Sequence, residues 1–276
     1  MAPFRLRTHK GIMINIDTIA PAVRAEVETR LAGIEASEGV RFLLAIESGS
    51  RAWGFPSPDS DYDIRFVYVR EREWYLGLTP GRDVIEQPIV DEIDLNGWDI
   101  RKALNLLLKS NATLGEWMDS PIRYRPDDPV VARIKALADA VLNPRALGHH
   151  YRNVGINAAA RWLSEDGPVP AKKYFYALRP ALVIRHMRLN PGVRPPMNLQ
   201  QLVAGCDLSA DMISQIDSLV QAKSETREKE LGARLTDVDS FIRYELDQAD
   251  ALPVQDGPPD AIATATAIFR DLLHAG

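Results

Sequence analysis

The sequence predicts an α+β protein: a small mixed β-sheet in residues 1–126, followed by an all-helical part in residues 127–276. Three observations predict this. The short, apolar, β-rich runs at 40–46, 61–69 and 89–95 all lie before residue 125. Beyond the break at Tyr124-Arg125-Pro126, apolar residues recur at helical spacing and no further strand is expected. A composition of 46% hydrophobic and 26% charged residues over 276 positions supports a core for one large domain or two ordinary ones.

The elements follow in order. Asp17 is placed to cap a helix carrying Ile19, Val23, Val27, Leu31 and Ile34, which Gly39 ends. Residues 40–46 (VRFLLAI) read as a buried strand. Residues 49–60 are rich in Gly, Pro and Ser and read as loop, with a short helical turn at 50–53. Residues 61–69 form the second strand, with Ile64, Phe66 and Tyr68 alternating against Arg65, Val67 and Val69. A short helix is expected at 71–78, and a polar stretch follows. Residues 89–95 (IVDEIDL) read as the third strand, with Glu92 and Asp94 on one face, and Asn96-Gly97 as a turn. A strong helix is expected at 98–109, with Asp99 in its first turn, and a helical fragment at 113–118. Helices are then expected at 128–142, 144–164, 169–189, 208–232 and 235–252, and a last one from Asp260 to near His274. Pro180 should kink or divide the helix that contains it.

Composition also excludes some functions. No apolar run approaches the length that spans a bilayer, and the basic N-terminus MAPFRLRTHKG lacks a following apolar segment, so no signal peptide is expected. A single cysteine, Cys206, rules out an intramolecular disulfide and a cysteine-based zinc cluster. These features predict a reducing, cytoplasmic setting without membrane contact. A net charge of −5 argues against a broad basic surface for nucleic acid, although a local patch around Arg185, Arg188 and Arg194 could still receive a polyanion.

The chemistry is expected in residues 47–69, ESGSRAWGFPSPDSDYDIRFVYV. Side chains two apart on a strand share a face, so Asp61 and Asp63 point the same way. Two adjacent carboxylates repel unless a cation sits between them, and carboxylates suit hard cations such as magnesium. The Gly49-Ser50 turn lets backbone amides approach phosphate oxygens, Ser50 can donate its hydroxyl, and Arg51 can add positive charge. Taken alone, Asp-x-Asp could equally be a solvated strand start. Lys172, Tyr176 and Arg179, spaced i, i+4 and i+7, share one helix face, with Phe175, Leu178 and Leu182 on another. They offer charge to a triphosphate and a ring to a base, or else a solvated basic face.

Gly-Ser, a spacer, Asp-x-Asp on a strand and a later strand with a third Asp resemble the polymerase-β-type nucleotidyltransferase superfamily. The runs GSRAWGFPSPDSDYDIRFVYVR, DLNGWDIRKAL, LLKSNATLGEWMDSPIRY and KKYFYALRP are similar to the predicted nucleotidyltransferases named for their association with a phage-type RNA ligase. The similarity spans about residues 40–202. Ala112 departs from it, standing where proline is expected after Asn111. The resemblance implies a metal-dependent enzyme moving an NMP from an NTP to a hydroxyl, an RNA end being favoured. It implies that Gly49 and Ser50 bind the triphosphate, that Asp61 and Asp63 hold Mg2+ (or Mn2+), and that Asp94 is the third carboxylate. Glu92 and Asp99 remain alternatives for that third position. A small-molecule or protein acceptor, or a non-catalytic nucleotide- or RNA-binding module, are the competing readings. Neither the nucleobase nor the oligomeric state is predicted.

Overall fold

A computed structural model describes residues 19–160, 162–163, 167–225, 231–232 and 234–274. Asp17, the expected cap, lies outside the described residues. The first half runs α1 (Pro21–Glu38), β1 (Val40–Glu47), α2 (Gly49–Trp53), β2 (Tyr62–Arg70), α3 (Arg72–Tyr75), β3 (Val84–Glu86), β4 (Ile93–Asp99), α4 (Ile100–Leu107) and α5 (Ala112–Asp119). It continues as α6 (Val130–Ala140), α7 (Pro144–Ala159), β5 (Val169–Pro170), α8 (Ala171–Leu189), α9 (Leu199–Ala204) and α10 (Ala210–Glu225). The chain closes with β6 (Leu231–Gly232), α11 (Thr236–Asp247), a 3-10 turn (Gln248–Ala251) and α12 (Ala261–His274). The fold is α+β, as expected. None of the described helices is long and apolar enough to cross a membrane.

The four-stranded sheet has the order β1-β2-β4-β3 and is mixed. β1 pairs with β2 and β3 with β4 antiparallel, whereas β2 and β4 run parallel. Parallel neighbours start at the same end, so the first residues of β2 and β4 share one edge of the sheet. That edge carries the carboxylates.

Three expectations are corrected here. The third strand begins at Ile93, not at residue 89, because Asp91 and Glu92 have φ of 54° and 61°. They form a two-residue turn closed by Val90 and Ile93, whose amides each donate to the other's carbonyl (3.4 and 3.1 Å). Two positive φ values in a two-residue loop match the twist of paired strands. Asn96-Gly97 is therefore not a turn but the middle of β4. Gly97 is needed there for space: a Cβ would stand 1.9 Å from Cε2 of Phe66 on the neighbouring strand. Gly97→Ala is expected to cost about 2 kcal/mol by overpacking, read as a lower urea midpoint at unchanged m-value. A change below about 0.5 kcal/mol would show that the ring swings aside freely. Finally, of the kink or division expected at Pro180, the division does not occur, since α8 runs unbroken through it. Pro180 is buried, and on α7 Gly155 leaves room for it, since a Cβ there would lie 3.2 Å from the proline.

The expectation of no further strand fails at β5 and β6, which pair over two residues each, and β3 and the six-residue α9 also went unforeseen. Elements this short carry no periodic pattern. Trp98, expected in a helix, lies in β4, while Asp99 caps α4 by accepting from the Arg101 amide (2.8 Å).

The core divides in three. Val27, Leu31 and Ile34 of α1 cover one face of the sheet against Ile64, Phe66 and Tyr68. The other face, with Leu44, Ile46 and Val67, packs on α4, α5, α6 and α12. Both α6 and α12 follow residue 127, yet they pack with the sheet rather than with the later helices. The third cluster surrounds α8, where Phe175, Leu178 and Leu182 form the apolar stripe read from the sequence. Phe55, from the loop after α2, stacks on Phe175 at 4.3 Å and 9°, tying the sheet's edge loop to α8.

Candidate active site

β2 and β4 bring Asp63 and Asp94 face to face, since they are register partners across the parallel pair. Asp61 stands just before β2 and is exposed. Glu92 lies in the turn, and its carbonyl accepts from the Tyr62 amide (2.8 Å). Asp99 sits at the opposite end of β4, fully buried and accepting from the Tyr75 hydroxyl (2.7 Å). Of the three residues open for the third carboxylate position, Asp94 alone adjoins Asp63.

Arg65 completes this edge and was not among the expected site residues. It lies on the same strand face as Asp63, two residues on. Its Nη2 reaches Asp63 Oδ1 at 3.1 Å and Asp94 Oδ2 at 2.7 Å, and its Nη1 donates to the carbonyls of Ile64 and Asp94 (3.0 and 3.1 Å). A guanidinium thus stands between two carboxylates. The i+2 alternation gave the signal; the bridge to a second strand could not be read from spacing.

The Gly-Ser turn lies against Asp63. The Ser48 amide donates to the Asp63 carbonyl (2.8 Å). Gly49 has φ +57°, and a Cβ on it would fall 1.9 Å from Asp63 Oδ2. Glycine is thus required twice, for the left-handed backbone and for the close approach. Ser50 Oγ stands 3.0 Å from Ser60 Oγ. Arg51 turns inward: it donates to the carbonyls of Ser60 (2.6 Å) and Asp61 (3.2 Å) and lies over the Tyr62 ring at 4.0 Å. As placed, its guanidinium holds the loop that presents Asp61.

Beneath Asp63 is Glu47, fully buried at the end of β1 and also unforeseen. Its Oε1 accepts from the Asp63 amide (2.9 Å), and its Oε2 from the Tyr124 hydroxyl (2.6 Å). Nothing in the local sequence pairs Glu47 with Tyr124, 77 residues away. Burial pushes the Glu47 carboxyl up from 4.5 to about 7, against the pull of those two hydrogen bonds. Burial likewise raises Asp63; Arg65 opposes the rise, and Asp94 and Asp61 add to it.

A carboxyl raised on folding is held in its neutral form, so the folded state binds the extra proton. Its stabilising contribution is full below about 4.5 and is lost as pH rises through about 7. Glu47→Gln keeps the size and stays neutral. It is expected to flatten the stability loss between those pH values, on the order of 3 kcal/mol. Urea unfolding of both proteins across that range checks this, and parallel curves would count against it.

Trp53, the last residue of α2, links the turn to α8. Tyr176 meets its ring edge-on at 5.9 Å, Arg179 Cζ lies 4.8 Å over it, and its Nε1 donates to Glu116 (3.0 Å). Lys172 Nζ lies 6.0 Å from the Tyr176 ring. Tyr176 is 39% exposed, whereas Arg179 is only 5% exposed. Arg179 pairs with Glu116 (2.8 Å) and donates to the Met197 carbonyl (3.2 and 3.1 Å). The expected helix face therefore meets Trp53, at the end of α2 away from Gly49, and its arginine is committed to Glu116. The possible basic patch is likewise engaged. Arg185 and Arg188 pair with the buried Glu245 (2.9 and 3.7 Å), and Arg194 pairs with Asp119 (2.6 Å) and Asp139.

For a divalent cation the site offers carboxylate oxygens, which are the donors hard cations take. Burial is the main cause of the raised Asp63, and the repulsion from Asp94 and Asp61 that adds to it is what such a cation would relieve. Among the described residues no three His, Cys, Asp or Glu side chains stand as a ready-made metal cluster, and Arg65 holds Asp94 toward Asp63. The donors fit by chemistry, with Arg65 as the competing cation.

The family model of the RNA repair pathway DNA polymerase beta family, RlaP, matches residues 23–271. The uncharacterized protein YcgL of Bacillus subtilis (strain 168) is 39% identical over 230 residues, covering 82% of this chain and 86% of that protein. A solved structure, the nucleotidyltransferase-like protein from Exiguobacterium sibiricum 255-15, matches with a TM-score of 0.31 and 8% identity, over 92% of this chain and 80% of that one. So loose a superposition carries nothing about the site.

Proposed function

Because the chain belongs to the RNA repair pathway DNA polymerase beta family, we propose that it moves a nucleoside monophosphate from an NTP to a hydroxyl, an RNA end being the favoured acceptor. The observation that carries this reading is the shared edge of β2 and β4. There Asp63 faces Asp94, and Gly49 stands so close to Asp63 that no side chain fits between them. Asp61, Asp63 and Asp94 would hold Mg2+ (or Mn2+), which when bound lowers the pKa of the attacking hydroxyl and offsets charge on the α-phosphate. The acceptor hydroxyl gives up its proton to solvent water as its oxygen bonds to the α-phosphorus, the bond from that phosphorus to the β-phosphate oxygen breaks, and pyrophosphate leaves.

This chain's own residues supply the positioning. The Gly49-Ser50 backbone and the Ser50 hydroxyl receive phosphate oxygens. Arg51 fixes the loop that carries Asp61. Tyr176 offers its exposed ring to a base, and Lys172 adds charge beside it. Arg179 acts from beneath, holding Trp53 and Glu116. The junction of the sheet-bearing part with α8 is the proposed nucleotide site, since ligand sites favour such junctions. We place the activity in the cytoplasm.

The test uses α-labelled ATP, CTP, GTP and UTP with magnesium, offered RNA ends, small alcohols and protein acceptors. Label is expected on an acceptor, with pyrophosphate released. Transfer to a small alcohol or a protein would keep the chemistry and replace the acceptor. The second reading, a non-catalytic nucleotide-binding module, is favoured by one observation: Arg65 already stands between Asp63 and Asp94. A thermal-shift series separates the two. Stabilisation by NTP that needs magnesium supports transfer, and stabilisation without it supports the module.

A further inference from the structure

We propose that Lys223 is a positioning residue for the triphosphate, acting on Ser50 through Ser57 and Ser60. The proposal rests on the nucleotidyltransferase reading and extends it to the helical part. Four polar atoms form a continuous chain. Lys223 Nζ lies 3.4 Å from Ser57 Oγ, Ser57 Oγ lies 2.8 Å from Ser60 Oγ, and Ser60 Oγ lies 3.0 Å from Ser50 Oγ. The inner three are buried: Lys223 is 2% exposed, and Ser57 and Ser60 are 3% each. Lys223 comes from α10, far along the chain, and its Nζ also lies 5.6 Å from the Phe55 ring.

Proton counting gives the chain a direction. An ammonium only donates, so Ser57 Oγ accepts from Lys223. That leaves the single Ser57 proton for Ser60. Ser60 Oγ also accepts from the Ser57 amide (2.9 Å), which anchors it. With Ser57 donating to it, Ser60 has its own proton for Ser50, and Ser50 has its proton for a phosphate oxygen. As placed, Ser50 donates inward to Ser60. Reversing the order turns the three hydroxyls and realigns Ser50 Oγ with Ser60 Oγ, since as placed only the Ser57–Ser60 bond can run either way. A cation at the inner end favours the outward order, because hydrogen bonds in a row polarise one another.

The experiment titrates the full chain with magnesium tripolyphosphate, which carries no base, and with each NTP, by calorimetry. Ser57→Ala keeps Lys223 and Ser50 but cuts the chain. It is expected to weaken tripolyphosphate binding about tenfold, the size of one charge-assisted hydrogen bond. Ser50→Ala is expected to weaken it similarly. In the double variant the Ser57 effect should vanish, since there is no Ser50 hydroxyl left to orient. Lys223→Met should match Ser57→Ala if it folds; Ser57→Ala decides the matter if it does not. Wild-type binding unchanged in Ser57→Ala, or effects that simply add in the double variant, would overturn the proposal and leave the nucleotidyltransferase reading standing. If the wild type binds neither tripolyphosphate nor any NTP, that reading falls and the proposal falls with it.

Discussion

Asp63→Asn is expected to abolish nucleotidyl transfer while leaving a folded protein of at least wild-type stability. Asp63 occupies the centre of the site: Glu47 holds its amide, Ser48 donates to its carbonyl, Arg65 bridges it to Asp94, and Gly49 stands against its carboxylate. Its charge is disfavoured by burial and by Asp94 and Asp61. A neutral amide of the same shape removes that cost and keeps most of the hydrogen-bonding capacity. It does not replace a charged oxygen as a ligand for a hard cation. A rate loss of about 10³-fold or more is expected, roughly 4 kcal/mol of barrier at 1.36 kcal/mol per decade. Label transfer gives the rate, and urea unfolding gives the stability. Retained transfer in a folded Asp63→Asn protein would remove the carboxylate from the mechanism. A collapse of stability would make Asp63 a structural residue instead. Asp94→Asn should disturb the bridge more, because Asp94 is the nearer of the two Arg65 partners (2.7 against 3.1 Å) and loses its charge there, so it reports on the bridge as well as the chemistry.

The parts of this site legible in the sequence were those set by local spacing. Asp61, Asp63, Gly49 and Ser50 lie within one loop and one strand start; alternation places Asp63 and Arg65 on one face of β2, whereas Asp61 stands before the strand, where alternation does not set its direction. The helix face of Lys172 and Tyr176 follows from 3.6-residue periodicity in the same way. What spacing cannot supply is the register between strands. Asp94 reaches Asp63 because β2 and β4 pair in parallel, and that pairing depends on a crossover and on a turn at Asp91-Glu92 that no Gly or Asn announces. Gly97 misled for a related reason. It resembles turn chemistry, but its missing side chain makes room for Phe66 on the next strand. Glu47, Tyr124, Arg65 and Glu116 were missed because each acts through a partner distant in sequence or on another strand. Arg179 shows the converse. Its helical spacing was read correctly, but its partner Glu116 lies on α5, so the charge offered to a phosphate is already matched inside the fold.

Gly49→Ala is expected to damage both stability and binding, and Gly39→Ala tells apart the two causes. Both glycines have nearly the same left-handed backbone, φ +57° and +60°. An alanine in that region costs roughly 1–2 kcal/mol at either position. At Gly39 a Cβ meets nothing within 4 Å, so the conformational cost is the whole effect expected there. At Gly49 the Cβ falls 1.9 Å from Asp63 Oδ2, 2.8 Å from its Cγ and 3.3 Å from its Cβ. That overlap has two exits. The Asp63 carboxylate can rotate off Arg65, which unpairs a partly buried charge, or the turn can lift and break the Ser48 amide bond to the Asp63 carbonyl. Either exit adds about 1–3 kcal/mol to the conformational cost, and either separates the Gly-Ser turn proposed for the phosphates from the carboxylates. Gly49→Ala is therefore expected to lower stability by about 2–5 kcal/mol in sum and to weaken magnesium-dependent NTP binding by about 100-fold. Gly39→Ala should lose only the first portion of stability and bind as the wild type does. Urea midpoints and calorimetric NTP titrations of the two variants, run side by side, give both quantities. Equal losses in the two would mean that backbone strain alone explains Gly49, and that its approach to Asp63 plays no part in holding the nucleotide.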